Sequence, residues 1–132
     1  MIVDSSAIMA IILNEPERHA MIEALGQSDR NAISAGTWIE LSAVLTRRPG
    51  NDLFERLRTV TDVVSIFIEP VSVEQAEIGH QAYRRYGRGS GHKSDLNFGD
   101  CFAYALAKAT GEPLLFKGND FSQTDIKPAL TL

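Results

Sequence analysis

Four carboxylates occupy places in the sequence from which they can meet in the folded chain. They are Asp4, Glu40, Asp100 and Asp120. Asp4 ends the apolar run that opens the chain, and Asp120 follows the apolar run 114–116. Acidic side chains in apolar surroundings are costly unless a positive charge offsets them, and a divalent cation is the simplest such partner. The residue types therefore favour a metal-dependent hydrolytic site.

Alternating strand and helix patterns supply the elements that must position these acids. Apolar and β-branched runs predict strands at residues 1–4, 31–35, 63–68 and 114–116, with a further short strand at 126–130. Apolar residues at helical spacing predict helices at 5–13, 15–26, 37–48, 53–60, 72–86 and 97–109. Strands that alternate with helices predict a parallel sheet covered on both faces. Ligands bind at the carboxyl ends of such strands, so Asp4 and Asp120 are expected at the same edge.

The helix starts give the other two acids their expected places. Ser5 or Ser6 is the predicted cap of the first helix, and Asn97 or Ser94 is the predicted cap of the helix that carries the third acid. Asp100 then falls in the first turn of its helix, where the positive end of the helix dipole favours an anion. Glu40 is expected at the border of the buried face of its own helix. Each acid alone has a more ordinary explanation as a cap or a solvated side chain, so both interpretations stay open at this point.

Length and composition limit the classes of protein that fit the chain. With 132 residues, of which 44% are apolar and 23% charged, it is predicted to be a single globular domain, 1–132. A net charge of −4 does not favour nucleic-acid binding over the surface as a whole. The single cysteine, Cys101, has no internal disulfide partner and is interpreted as a small core residue. No apolar run is long enough to span a membrane and no signal peptide is evident, so a cytoplasmic location is predicted.

One segment departs from the acidic balance of the chain. Residues 81–94 contain no acid, and the aromatic residues Tyr83 and Tyr86 stand among their basic ones. The basic residues are Arg84, Arg85, Arg88 and Lys93. Such a segment predicts contacts with an RNA backbone. The alternative is a solvated helix end, because cations near a helix C-terminus are favoured without any ligand.

Four segments of the sequence together carry a family pattern. They are MIVDSSAI at 1–8, the helix around Glu40, LNFGDCFAYALA at 96–107 and LLFKGNDF at 114–121. In combination they resemble PIN-domain proteins and, more closely, the VapC-type toxins of bacterial toxin–antitoxin pairs. The likeness spans essentially the whole chain, and the segment 96–107 is its most specific part. It implies a PIN-like three-layer α/β/α fold with a central, mostly parallel sheet of about four or five strands.

The resemblance also implies a function and a role for each acid. It implies a Mg²⁺- or Mn²⁺-dependent endoribonuclease that is neutralised by a VapB-type antitoxin and is usually a homodimer. Asp4, Glu40 and Asp100 match the family's three principal acids by position. Asp4 and Asp100 are expected to hold the principal ion, and Glu40, or the ion itself, is expected to help deprotonate the attacking water.

Three further residues near these acids also have expected roles. Asp120 is our choice for the fourth acid of the family pattern, and Asn119 beside it is a polar helper. Ser6 matches a small hydroxyl residue that is often found near the first acid. For Ser6, helix capping is favoured over binding a metal-bound water.

Two other classes of protein fit part of the pattern. A non-catalytic RNA- or partner-binding PIN domain would have the same fold, but the presence of all four acids argues against it. A receiver-type phosphoacceptor domain also combines a parallel α/β fold with clustered acids and a lysine, here Lys117. That class needs paired acids at the end of the first strand, where this chain has only Asp4.

Overall fold

A parallel sheet of four short strands forms the centre of the part of the molecule that the structure describes. The structure is a computed structural model that describes residues 1–50 and 52–131. The strands are β1 (Ile2–Val3), β2 (Asn31–Ser34), β3 (Ile66–Glu69) and β4 (Leu114–Leu115). Their order across the sheet is β3-β2-β1-β4, and all three pairings are parallel. The ends of β1 and β4 are therefore neighbours, as the acids that follow them require.

Six helices are found in the same described ranges. They are α1 (Ser5–Ile12), α2 (Arg18–Gln27), α3 (Ala35–Arg47), α4 (Leu53–Val63), α5 (Val73–Tyr86) and α6 (Asp100–Thr110). Within residues 1–50 and 52–131, none of them is long and apolar enough to cross a membrane. Asn51 and Leu132, the last residue of the predicted domain, lie outside the described residues.

Alternate residues of β1, β2 and β4 face opposite layers of helices. Val3, Ile33 and Leu115 pack into one core with side chains of α1 to α4. Ile2, Ala32 and Leu114 pack into a second core with α5 and α6. Since successive strand residues point to opposite faces of a sheet, one layer of helices covers each face of β1, β2 and β4. The predicted three-layer α/β fold with a parallel sheet is confirmed.

Two predicted boundaries are wrong because local turns override the apolar pattern. The strand predicted at 63–68 is Ile66–Glu69, because Val63 ends α4 and Ser65 turns the chain with a positive φ of 53°. The second helix begins at Arg18 and not at residue 15. Asn14 has a φ of 56°, and the Glu15 N–H donates to the Ala10 carbonyl, which closes α1.

The predicted last strand, 126–130, contributes only a single bridge at the edge of the sheet. Leu114 pairs with Pro128 in parallel orientation. The Leu114 N–H donates to the Lys127 carbonyl at 2.9 Å, and the Ala129 N–H donates to the Leu114 carbonyl at 2.8 Å. This bridge covers the outer edge of β4, whereas the outer edge of β3 has no further strand in the described sheet.

Candidate functional site

Asp4 lies where β1 ends and α1 begins, and it is only 4% exposed. Its carboxylate accepts hydrogen bonds from the Ser6 N–H at 3.0 Å and from the Ser6 hydroxyl at 2.6 Å. Asp4 is therefore the N-cap of α1. The prediction that Ser5 or Ser6 caps this helix is wrong, because both residues lie inside its first turn.

The Ser6 hydroxyl joins the residue that follows β1 to the segment that follows β4. It donates to Asp4 and accepts from the N–H of Lys117 at 2.9 Å. The Asp4 N–H also donates to the Leu115 carbonyl at 2.9 Å. These bonds fix the first acid against the segment that leads to the fourth. Sequence reasoning missed the part played by the Lys117 backbone, because a main-chain donor leaves no signal in the residue type.

Asp100 opens α6 and is held by reciprocal hydrogen bonds with Asn97. The Asp100 N–H donates to Asn97 Oδ1, and the Asn97 N–H donates to Asp100 Oδ2, each at 2.9 Å. The N-cap of α6 is Gly99, which has no side chain to make a capping bond, so the prediction of Asn97 or Ser94 as the cap is wrong. Asn97 nevertheless accepts from the first N–H of the helix, whereas Ser94 is bonded to His92. The Asp100 carboxylate is therefore positioned before any ligand arrives.

Glu40 reaches the start of α6 through a gap that a glycine leaves open. Its carboxylate lies so close to Gly99 that a Cβ at this position would overlap with it. Since Gly99 immediately precedes Asp100, the contact places the second acid beside the third. Sequence reasoning did not identify Gly99, although a glycine directly before an acid of interest is a signal of close approach.

Burial and mutual repulsion act on these carboxylates together. Desolvation by burial is the largest cause that raises the pKa of Asp4, and the charge of Asp120 adds to it, while bonds from Ser6 oppose the rise. Desolvation and then the charge of Asp4 raise the pKa of Glu40. The pKa of Asp100 rises to about 6, first through desolvation and further through the charges of the other three acids. The four carboxylates thus form one electrostatic group, to which the solvent-exposed Asp120 also belongs.

No basic side chain in residues 1–50 and 52–131 forms an ion pair with any of the four acids. Lys117, the nearest lysine in sequence to Asp120, pairs with Glu15 and Glu17. Asp4 is buried and Asp100 half-buried, whereas Glu40 and Asp120 are exposed. Together these carboxylates form a donor set without a positive partner in the described residues, and such a set suits a hard divalent cation, which prefers oxygen ligands. Over the same ranges, no three acidic, histidine or cysteine side chains already stand at metal-binding spacing.

The predicted RNA-binding residues are exposed, but they do not form one uniform surface. Arg88 makes a long ion pair of 3.8 Å with Asp95. The Arg85 guanidinium lies 5.0 Å from the centre of the Tyr86 ring. Arg85 also lines a cavity of about 630 Å³ between α5 and α6. Arg84 and Lys93 are exposed at the end of α5 and in the following loop.

Two other residues near the acids have simple surroundings. Asn119 is exposed, lines a cavity of about 420 Å³ with Lys117, and accepts a bond from the Ser122 hydroxyl through its carbonyl. Cys101 is buried in α6, and desolvation followed by the charge of Asp100 raises the pKa of its thiol to about 11. A thiol that stays protonated is a poor nucleophile, in line with its interpretation as a core residue.

The sequence of the chain matches a known protein family over almost its whole length. Residues 1–127 match the model of the PIN domain. The chain belongs to the PIN-domain family. Among curated PIN-domain relatives, Ribonuclease VapC42 of Mycobacterium tuberculosis is 47% identical over 131 residues, which cover 99% of this chain and all of that protein. The chain therefore stands among the VapC ribonucleases, and the receiver-type alternative is excluded.

Solved structures of other PIN domains have the same fold at low sequence identity. M. tuberculosis VapC20, described as a toxin that cleaves the sarcin–ricin loop, matches with a TM-score of 0.71 at 16% identity, over 95% of each chain. A chain of a toxin–antitoxin complex from Klebsiella pneumoniae matches with a TM-score of 0.71 at 20% identity, over 94% of this chain and 92% of that one. Such likenesses support the PIN-domain architecture of this chain.

Proposed function

We propose that this protein is a Mg²⁺- or Mn²⁺-dependent endoribonuclease toxin in which Asp4, Glu40, Asp100 and Asp120 form the active site. The observation that carries the proposal is the electrostatic group of four carboxylates without a cationic partner in the described residues. The membership of this chain in the PIN-domain family and its similarity to VapC ribonucleases support RNA as the substrate. All four acids being present distinguishes this proposal from that of a non-catalytic PIN domain.

Each acid has a task that follows from its surroundings. Asp4 and Asp100 would hold the principal ion, because hydrogen bonds from Ser6 and Asn97 fix their carboxylates. Glu40 and Asp120 would complete the acidic pocket. When bound, a divalent cation lowers the pKa of a coordinated water and offsets charge on a phosphate. The raised pKa of Glu40 suits a group that accepts a proton from the attacking water.

The proposal extends to the partners of the protein. A VapB-type antitoxin is proposed as the inhibitor, since toxin–antitoxin complexes are found among the structural neighbours of the chain. A homodimer is proposed as its state in solution, and light scattering of the purified protein tests it. The basic residues Arg84, Arg85, Arg88 and Lys93 are proposed to contact the RNA backbone.

Cleavage of total cellular RNA by purified, antitoxin-free protein tests the proposed activity. With Mg²⁺ or Mn²⁺, sequencing of the new RNA ends should reveal defined internal cleavage sites, and EDTA should remove them. The Asp4→Asn variant is the control, because it preserves a capping side chain at the start of α1 but lacks the charge. Metal-dependent cleavage by this variant at the wild-type rate would contradict the assignment of the site.

A further inference from the structure

We infer that Phe98 is a platform on which an unpaired base of the RNA stacks beside the acidic pocket. The inference rests on the proposed function and adds a residue that positions the substrate. Sequence-tolerant binding of single-stranded RNA commonly uses exposed aromatic rings for the bases and cationic side chains for the backbone. Both features are present in one continuous segment of this chain, residues 84–100.

Phe98 lies inside the turn that builds the acidic pocket. Its neighbours on either side are Asn97, which is bonded to the Asp100 carboxylate, and Gly99, against which the Glu40 carboxylate packs. The Cys101 N–H donates to the Phe98 carbonyl at 3.3 Å, which fixes the backbone at this position. A base stacked on this ring would therefore be held next to two of the proposed active-site acids.

The ring of Phe98 rests on a fixed support. It meets the ring of Phe102 edge to face, with 5.2 Å between the ring centres. Phe102 in turn lies directly over Gly36 of α3, where a Cβ would overlap with its ring. Because the supporting ring is wedged between α3 and α6, Phe98 has a defined orientation without being buried.

Exposure distinguishes Phe98 from the other aromatic residues that the structure describes. Only two of the phenylalanine, tyrosine and tryptophan side chains in residues 1–50 and 52–131 are exposed. Phe67, on the edge strand β3, is 54% exposed and has the Arg30 guanidinium 5.4 Å from its ring centre. Phe98 is 74% exposed, and no cationic group covers it within the described part of the chain. An aromatic surface left in water beside a polar site favours a ligand with a π face.

The loop 87–96, which carries Arg88 and Lys93, is anchored close to Phe98 in the sequence. The Leu96 N–H donates to the Tyr86 carbonyl at 2.9 Å, and the Arg88 N–H donates to the Leu96 carbonyl at 3.0 Å. These bonds close the loop 87–96 and hold the backbone of Arg88 against Leu96, two positions before Phe98. An RNA strand that enters along this loop would meet cations first, then the ring, and then the carboxylates.

Binding of single-stranded oligo(A) and oligo(U) in EDTA, measured by fluorescence anisotropy, tests the inference without depending on cleavage. The variants are Phe98→Ala, Phe98→Leu and Phe98→Trp, with Phe67→Ala as the matched control on another exposed ring. We expect Phe98→Ala and Phe98→Leu to weaken binding by about fivefold or more, the lower range for loss of one stacked base. Phe98→Trp should bind at least as tightly as the wild type, and Phe67→Ala should match the wild type.

Three results with the variants would overturn the inference. They are wild-type affinity in Phe98→Ala, equal affinity in Phe98→Leu and the wild type, and a loss of binding that accompanies a change of molar mass in light scattering. The last result would assign Phe98 to contacts between copies of the chain. An absence of oligonucleotide binding by the wild type would also overturn it. Melting temperatures near that of the wild type verify that the variants fold.

Parallel cleavage assays with Mg²⁺ and Mn²⁺ separate this inference from the proposed function. If the wild type cleaves RNA and Phe98→Ala binds it normally, stacking on Phe98 is wrong and the nuclease proposal stands. If the wild type binds oligo(A) through Phe98 but never cleaves RNA, the nuclease proposal is wrong and the stacking platform stands.

Discussion

Helix α6 touches two groups of carboxylates that differ in how their charge is balanced. At its first residue, Asp100 belongs to a group of acids with no cationic partner in the described part of the chain. Further along the helix, Lys108 donates to Asp125 at 2.8 Å and the Tyr104 hydroxyl donates to the same carboxylate at 2.6 Å. The charge of Asp125 is balanced by Lys108, whereas the negative charge around Asp100 is not balanced by any cation in the described residues.

The pKa directions of the two regions express this difference. Desolvation raises the pKa of Asp125, but the bonds from Lys108 and Tyr104 and the lysine charge outweigh it, so the pKa is lowered overall. For Asp100, desolvation dominates and nearby acids add to it, so the pKa rises to about 6. A carboxyl group whose charged form is disfavoured in the folded protein often lies at a functional site, where activity is favoured over stability. The contrast therefore supports the proposal that the active site lies at the start of α6.

The largest expected difference between the two regions is in RNA cleavage. Asp100→Asn should reduce the rate of metal-dependent cleavage by roughly a thousandfold, because it removes a proposed ligand of the principal ion. Asp125→Asn makes the same chemical change at a carboxylate that accepts hydrogen bonds from Tyr104 and Lys108 of the same helix. It should leave the rate within about threefold of the wild type, since it touches no reacting group. Single-turnover cleavage of one labelled RNA compares the three proteins.

Equal losses of cleavage rate in Asp100→Asn and Asp125→Asn would contradict this expectation. Such a result would mean that the charge of the whole domain, and not the group around Asp100, controls cleavage.

The effects on stability should have opposite signs in the two regions. Asp125→Asn should lower the free energy of unfolding by about 1 kcal/mol, a value reduced because the ion pair is partly exposed. Asp100→Asn should raise the free energy of unfolding of the metal-free protein, because it removes one of several charges that repel each other. Urea denaturation in EDTA measures both changes. A destabilised Asp100→Asn variant would show that its charge contributes to stability and does not oppose it.

A smaller effect is expected in the pH dependence of stability, through the raised pKa of Asp100. Asp100 has a pKa of 3.8 as a free side chain and of about 6 in the folded protein, so the folded state binds its proton more tightly. The stability that this group contributes is therefore complete below the free value and is lost as the pH rises through the folded value. In EDTA, the unfolding free energy of the wild type should fall relative to that of Asp100→Asn between about pH 4 and pH 7. A constant difference between the two proteins would contradict the raised pKa.

Local sequence rules predicted the elements well, but they could not predict which of two neighbouring polar residues caps a helix. Ser6 satisfies the preference for a cap as well as Asp4 does. The structure selects Asp4 because the residue is extended at the end of β1, while the Ser6 hydroxyl is bonded to the Lys117 backbone 111 positions away. A contact of that range is set by the pairing of β1 with β4, which a local pattern does not contain.

The four acids illustrate the same limit from the side of the site. Asp100 was placed correctly in the first turn of its helix, because that position depends on local start and stop signals. The contact between Glu40 and Gly99 depends on how α3 packs against α6, so spacing alone could not predict it. The strand boundary at β3 was wrong for a related reason, since Val63 has the residue type of a strand but completes α4.

Binding of Mn²⁺ to the metal-free protein, measured by isothermal titration calorimetry, tests the central claim most directly. The wild type and Asp125→Asn should bind the ion with the same affinity, and Asp100→Asn should lose measurable binding. Of these two groups of carboxylates, the one around Asp125 is already balanced by Lys108, whereas the one at the start of α6 has no cationic partner in the described residues. Equal binding by wild type and Asp100→Asn, or no binding by the wild type, would contradict the claim that these four carboxylates form a metal-dependent active site.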